Sequence, residues 1–280
     1  NGHGMVENML RLSVLWGGTH REGSREGFGR FGFGLPSASV NQCRRFTVYS
    51  IVEGQRWHGV IVDLDDMKQG KYTDIKTGKV VIPAATSISP PAWVQDYIKS
   101  NFENGALSHG TVVLWEKVDR LKWSTKKGMT KNLLEHFGTT YRNYLHETKL
   151  VLDGTAVQPL DPLFTTPGFR HYDFGKPAIP LEPHIFEVTD KNSGEKSRVR
   201  IRYARFPDDF FGVDGAIKAS KSNPKFAVAN QNRGIIVCRM GRQIDVVEHT
   251  PWNGFEKFRN DDRYWAAEID FPAGLDEELT

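Results

Sequence analysis

Two short runs near the start of the chain hold the residue types best suited to chemistry. Asn1-Gly2-His3-Gly4-Met5 comes first, and Gly29-Arg30-Phe31-Gly32-Phe33-Gly34-Leu35-Pro36-Ser37-Ala38-Ser39 follows. Glycines at this spacing, with bulky residues between them, free the backbone for positive φ and remove the side chains that would hold it away from a ligand. Successive backbone N–H groups can then converge on an anion, and a helix starting where the loop ends adds its own unpaired donors. That is phosphate-binding chemistry.

Other readings of the second run fail on context. Gly27-Phe28-Gly29-Arg30-Phe31-Gly32 formally matches the dinucleotide fingerprint GxGxxG. That fingerprint requires a buried strand just before it and an acidic residue about 20 positions later. Thr19 to Glu26 reads THREGSRE, which is polar and charged, and Glu53 lies beside Gly54 in what reads as a hairpin turn. No GxxxxGK[ST] occurs, and neither a VAIK-type lysine strand nor an HRD motif follows. Taken alone, the run also reads as a mobile glycine-rich surface loop.

The pairing of the two runs is what separates these readings. NGHGM followed by GRFGFGLPSAS resembles the GHKL ATPases, the group of type II topoisomerase ATPase subunits, a heat-shock chaperone, mismatch-repair ATPases and sensor histidine kinases. The phrase GRFGFGL…SAS is most similar to the Microrchidia-like branch and its bacterial relatives. The resemblance makes the first run the adenine box DxGxGM and the second the lid box GxxGxG. A third element of the family is a Gly-Thr pair opening a late strand, matched here by Gly110-Thr111 ahead of the apolar run Val112 to Trp115, which reads as a buried strand.

The resemblance implies roles residue by residue. Asn1, Gly2, Gly4 and Met5 would line the adenine and sugar end, with Gly110 and Thr111 fixing the adenine. Gly29, Arg30, Phe31, Gly32, Phe33, Gly34 and Leu35 would wrap the β- and γ-phosphates. Thr19 and Arg21 stand where relatives place a hydroxyl and a basic residue ahead of the lid. ATP and Mg²⁺ are the implied ligands, and closure of a homodimer on ATP binding the implied motion.

Two departures bear on turnover. The Asp expected before NGxGM is absent from the sequence, and so is the preceding helix, which in relatives carries the Mg²⁺-binding Asn and the Glu that activates water. The chain therefore reads as an internal fragment, with its general base expected upstream of Asn1 and no metal ligand of its own. The implied function is ATP binding with slow Mg²⁺-dependent hydrolysis in the intact protein. The alternatives are a nucleotide-gated scaffold that binds without turnover and a histidine kinase catalytic module. The second fits less well, because the chain continues far beyond the Gly-Thr strand.

The resemblance implies an α/β fold, with a GHKL (Bergerat) α/β sandwich and mixed sheet followed by a smaller α+β transducer-like domain. Residues 1–165 would form the ATP-binding domain, 166–183 a proline-rich connector, and 184–280 the transducer-like domain, cut short at its C-terminus. Leu133 to Leu145 has helical apolar spacing, and Lys149 to Val157 reads as a hairpin across Asp153-Gly154. The prolines at Pro159, Pro162, Pro167, Pro177, Pro180 and Pro183 break regular structure. A second hairpin spans Gly234 to Val247 through Met240-Gly241-Arg242.

Composition bounds the rest. A chain of 280 residues with 39% hydrophobic content suits two globular domains. Cys43 and Cys238 suggest free thiols in a reducing compartment, hence a cytoplasmic protein without a membrane partner. A net charge of +3 makes no case for nucleic acid by itself. Lys196, Arg198, Arg200 and Arg202 do alternate with less polar residues, which in a strand places four cations on one face. This stripe reads either as an anion-binding surface suited to DNA or as a solvated outer face balanced by acids on the next strand.

Overall fold

The computed structural model describes residues 2–19, 29, 31–102, 105–191, 194–213, 216–249 and 256–276. The chain divides into two compact units, Asn1–Lys122 and Trp123–Thr280. The helical segment predicted from Leu133 and the Asp-Gly hairpin at Asp153-Gly154 fall in the second unit.

The first unit is built on a three-stranded antiparallel sheet in the order β2-β1-β3, made by β1 (Cys43–Ile51), β2 (His58–Asp63) and β3 (Gly110–Val118). Aromatic and β-branched residues suit β1 to the central place, and Phe46 through Ser50 are buried in succession, so both of its faces are covered. Phe46 and Val48 on one face pack with Val60, Val62, Leu10 and Val14. Helices α1 (Glu7–Ser13) and α2 (Gly34–Gln42) supply that cover, and the turn at Glu53-Gly54 joins β1 to β2 as its sequence suggested. Two further helices, α3 (Leu64–Lys68) and α4 (Ala92–Asn101), complete the unit. The β3 strand is an edge strand and not the buried one that its apolar run suggested, for Val113 and Trp115 are exposed.

The second unit carries the mixed sheet. Its order is β6-β7-β10-β8-β9, formed by β6 (Ile179–Thr189), β7 (Lys196–Arg205), β8 (Ile235–Arg239), β9 (Arg242–Val247) and β10 (Trp265–Phe271), and β10 lies parallel to β8. Helices α5 (Lys126–Thr140) and α6 (Pro224–Gln231) and the small hairpin of β4 (Val151–Leu152) and β5 (Thr155–Ala156) complete it. The α5 helix begins earlier than its apolar spacing suggested, because Thr125 caps it by accepting from the Gly128 N–H, and it ends at Thr140, not Leu145. The proline-rich stretch also does more than connect. Leu160, Leu163 and Phe164 are core residues, packed with Phe206, Phe210, Phe211 and Ile236, and β6 already begins at Ile179.

Charge is buried in this core. The Arg142 guanidinium pairs with Glu268, and Arg202 reaches both Asp161 at 2.9 Å and Glu268 at 3.0 Å. Removing Glu268 would strand Arg142 in the interior, and breaking such a pair costs about 3–5 kcal/mol. Glu268→Ala is therefore expected to lower the free energy of unfolding, measured by urea titration, by that amount; a loss below about 1 kcal/mol would show that water reaches the pair.

Lys225 is buried as well, with its ammonium 2.9 Å from the Lys176 carbonyl and 4.3 Å from the Phe210 ring centroid. Burial pushes it down to about 8, while an unfolded chain keeps the lysine proton to about 10.4. Between those values the unfolded state binds more protons, so this group adds stability as pH rises through the window. The Cys238 thiol, pushed up to about 12 by burial, acts with the opposite sign above the ordinary thiol value. Comparing Lys225→Met with the parent isolates the lysine. The variant should melt higher at about pH 7, with the gap narrowing by about pH 10; a gap independent of pH would contradict the assignment.

Candidate functional site

The site is registered by the turn at its floor. Gly4 adopts φ +81°, and a Cβ there would lie 2.0 Å from the Ile51 carbonyl oxygen, so only glycine lets the turn rest on β1. The Met5 N–H donates to Ser50 Oγ at 2.8 Å. Ser50 Oγ in turn lies 2.9 Å from the Gly110 carbonyl oxygen and 2.9 Å from Thr111 Oγ1. His109 Nδ1 is 2.9 Å from the Gly2 carbonyl oxygen, a second tie between the turn and the start of β3. Residues far apart in sequence thus meet on one buried hydroxyl.

The later part of the glycine run rests on α1. Gly32 adopts φ +68°, with the position of a Cβ only 2.4 Å from the Gly18 carbonyl oxygen, and a Cβ on Gly18 would meet the Leu12 carbonyl oxygen at 2.2 Å. Gly29 and Gly34 behave differently. Among the described residues, a Cβ at either position would meet nothing within 4 Å, so each borders open space there. Gly34 is also the first residue of α2, which has no side-chain cap. The first helical N–H to find a backbone partner is that of Ser37, on the Phe33 carbonyl, and Pro36 has none to offer. The N–H groups of Gly34 and Leu35 therefore remain as donors at a positive helix end.

These elements enclose a cavity of about 300 Å³, the lower end of the usual range for small-molecule sites. Met5, Thr19, Gly29, Gly32, Gly34 and Leu35 line it together, and Met9 and Leu12 supply an apolar wall. Phe31 and Phe33 are exposed at its edge. Gly2 and Gly4 hold the floor turn without lining the cavity, and Gly110 and Thr111, also outside its lining, are tied to the Met5 amide through Ser50. Asn1, Arg21 and Arg30 lie outside the described residues.

Sequence reasoning missed Ser50, His109 and the docking role of Gly18. A doublet at Gly17-Gly18 was the one available signal; a serine within a strand gives none.

The basic stripe belongs to the second unit. Lys196 and Arg198 sit 3.4 and 3.9 Å from Glu187 on β6, the acid on the adjacent strand. Arg202 is covered and held by Asp161 and Glu268, so it does not extend an outward cationic face. Arg200 remains exposed. Among the described residues no group of three His, Cys, Asp or Glu side chains is placed to hold a metal ion, and no helix is long and apolar enough to cross a membrane. Cys43 and Cys238 are both buried and unpaired with each other.

Residues 1–88 match the family of histidine kinase-, DNA gyrase B-, and HSP90-like ATPases. No curated protein matches the chain. Among solved structures the chain is similar to the B-subunit of the DNA gyrase from Myxococcus xanthus, at 12% identity and a TM-score of 0.38 over 95% of this chain. The chain spans 66% of that subunit's length.

If Gly4 sets the register of the floor, Gly4→Ala must move either the turn or β1. The expected cost is about 1–3 kcal/mol for the left-handed backbone alone, with the close approach adding to it. Chemical denaturation measures this directly, and a variant as stable as the parent would mean that the turn does not rest on Ile51.

Proposed function

We propose that this chain, whose residues 1–88 are of the GHKL ATPase family, binds ATP in the cleft bounded by Met5, α1 and the glycine run. The observation that carries the reading is the start of α2: an uncapped helix end with N–H donors at Gly34 and Leu35, opening on a cavity whose glycines leave room for a ligand. Backbone donors at a positive helix end suit phosphate oxygens, and phosphoryl transfer asks chiefly for positioning and charge stabilisation. Gly29 and Gly34 give the triphosphate close access to the backbone. Gly32 serves the same site indirectly, by docking the run on Gly18. Met5 and the turn behind it form the base end, with Gly110 and Thr111 reached through Ser50.

Hydrolysis needs more than this cradle. The described lining of the cavity offers hydroxyl, thioether and backbone groups and no carboxylate, so it supplies neither a base for water nor a carboxylate ligand for Mg²⁺. In the family reading the intact protein turns ATP over slowly and closes as a dimer. The second unit would act as transducer. Closeness to the Microrchidia-like branch rests on the phrase GRFGFGL…SAS alone. A scaffold that binds ATP without turnover is the second reading.

Gly34 separates binding from folding. A Cβ there meets only open space, so Gly34→Val should leave stability within about 0.5 kcal/mol of the parent. Calorimetric titration with ATP should nonetheless show affinity reduced at least tenfold, because the side chain would enter the volume assigned to the phosphates. Gly32→Val should lower the melting temperature and ATP affinity together. Unchanged ATP affinity in a folded Gly34→Val protein would overturn the proposed site, and phosphate release assays on a protein extended upstream would divide the ATPase from the scaffold.

A further inference from the structure

We infer that a groove along α5, wholly within the second unit, is a binding site for the phosphate group of a small phosphorylated polyol, such as a sugar phosphate. It stands independently of the ATP cleft in the first unit.

The groove encloses about 610 Å³, within the usual range for small-molecule sites. Residues four apart stack along a helix, so two adjacent rows of α5 form one wall. Lys126, Thr130 and Leu134 make the first row, and Lys127, Lys131 and Glu135 the second. Asp153 in the turn of the small hairpin and Arg170 from the stretch beyond it line the remainder. Four cations therefore face two carboxylates. Lys126 is neutralised by Asp153 at 2.8 Å. Among the described residues, Lys127, Lys131 and Arg170 have no carboxylate within ion-pair distance, Glu135 included.

These cations stand where the helix disfavours them. Lys126 and Lys127 occupy the first turn of α5, at the positive end of its dipole, and that turn holds no acidic residue. Lys127 and Lys131 are four residues apart, a like-charge pair that destabilises a helix. Charges that break local rules with no compensating partner in the fold mark functional places. An anion bound between them would offset both penalties at once, and the guanidinium fork of Arg170 suits phosphate oxygens in particular.

The carboxylates decide the size of the ligand. A polymer of phosphates would carry its further charges past Glu135 and Asp153, and among the described residues no aromatic ring lines the groove for a single strand to stack on. One phosphate engages Lys127, Lys131 and Arg170. The Glu135 carboxylate and the Thr130 hydroxyl are then left to accept from hydroxyl groups on the rest of a small molecule.

Calorimetric titration of the full chain with ribose 5-phosphate, inorganic phosphate and ribose tests this. Ribose 5-phosphate should bind about tenfold more tightly than inorganic phosphate, because only it offers hydroxyls to the groove's acceptors. Lys131→Gln and Arg170→Gln should each weaken it about tenfold, the effect of losing one charged hydrogen bond. Lys127→Glu removes a cation from the positive helix end and sets an acid four residues ahead of Lys131, so the free protein should melt no lower than the parent while binding is lost. A lower melting temperature there would assign Lys127 to the fold and overturn the inference. Gly34→Val, which blocks the proposed ATP cleft, should leave ribose 5-phosphate binding unchanged. A loss in that variant would move the sugar phosphate to the ATP cleft and remove the second site alone. No binding by the parent, or equal affinity for ribose 5-phosphate and inorganic phosphate, would also overturn the assignment. So would an equal loss from Lys76→Gln, an exposed lysine of the first unit, since net charge alone would then be at work. A short DNA duplex that displaces ribose 5-phosphate, and itself binds worse to Lys131→Gln, would make the ligand a polymer and the inference wrong.

Discussion

Gly4 lets the floor turn lie directly on the Ile51 carbonyl, and the positions of the other groups at the cleft follow from that contact. It places the Met5 amide over Ser50, and Ser50 in turn holds the start of β3. A side chain at Gly4 would lift the turn and detach the Met5 amide from the buried hydroxyl that needs it. Burying an unsatisfied hydroxyl costs more than any one of these bonds contributes, which makes the arrangement close to all-or-none. The same logic governs the far wall, where Gly32 rests on Gly18 and Gly18 on Leu12. In both places a backbone lies on a backbone, and the absence of a Cβ is what permits it.

The second unit relies on a different constraint. Arg142, Glu268, Arg202 and Asp161 bring alternating charges into the interior, between the sheet and the stretch after the small hairpin. Gln243 accepts from Arg142 at 3.0 Å and donates to Asn232 at 2.7 Å, carrying the network toward α6. Such a network adds little net stability compared with well-packed apolar residues of the same volume. Its effect is directional. Each charge has a partner in only one arrangement of β7, β10 and the Asp161 segment, so other registers of the strands would bury charges without partners.

How far the sequence discloses these features depends on whether their cause is local. Gly32, the Asp-Gly hairpin at Asp153-Gly154 and the Met240-Gly241 turn depend on backbone conformations that single residues dictate, and Gly32, Asp153, Met240 and Gly241 all take positive φ. The strands flanking those two turns are legible in the same way. The α5 boundary was less so, because its start is fixed by the Thr125 cap and its end by turns beyond Thr140 that apolar spacing does not encode. Pro159 to Phe164 looked like a connector because proline density reports broken secondary structure, which says nothing about burial. The stripe on β7 had the period of a strand, but Arg202 is sequestered by Asp161 and Glu268, acids distant in sequence. Ser50 was invisible for the same reason, since its importance comes from the two segments it joins.

The two roles of the lid glycines also explain how the cleft can offer donors without a ligand to arrange them. α2 leads into β1 without an intervening loop, since the helix ends at Gln42 and the strand begins at Cys43. The Cys43 thiol donates to the Ser39 carbonyl at 3.2 Å, and the Trp115 indole N–H donates to Ser39 Oγ at 3.0 Å, so the helix is fastened to both β1 and β3. At its other end the contact of Gly32 with Gly18 holds the approach to Gly34. The N–H groups of Gly34 and Leu35 are thus fixed by packing on either side of them, not by whatever binds there. Donors fixed in advance need no reordering when an anion arrives, and that saving favours binding as much as an added contact would. At Gly34 itself no described neighbour requires a glycine, so a side chain there would meet the cleft and not the fold.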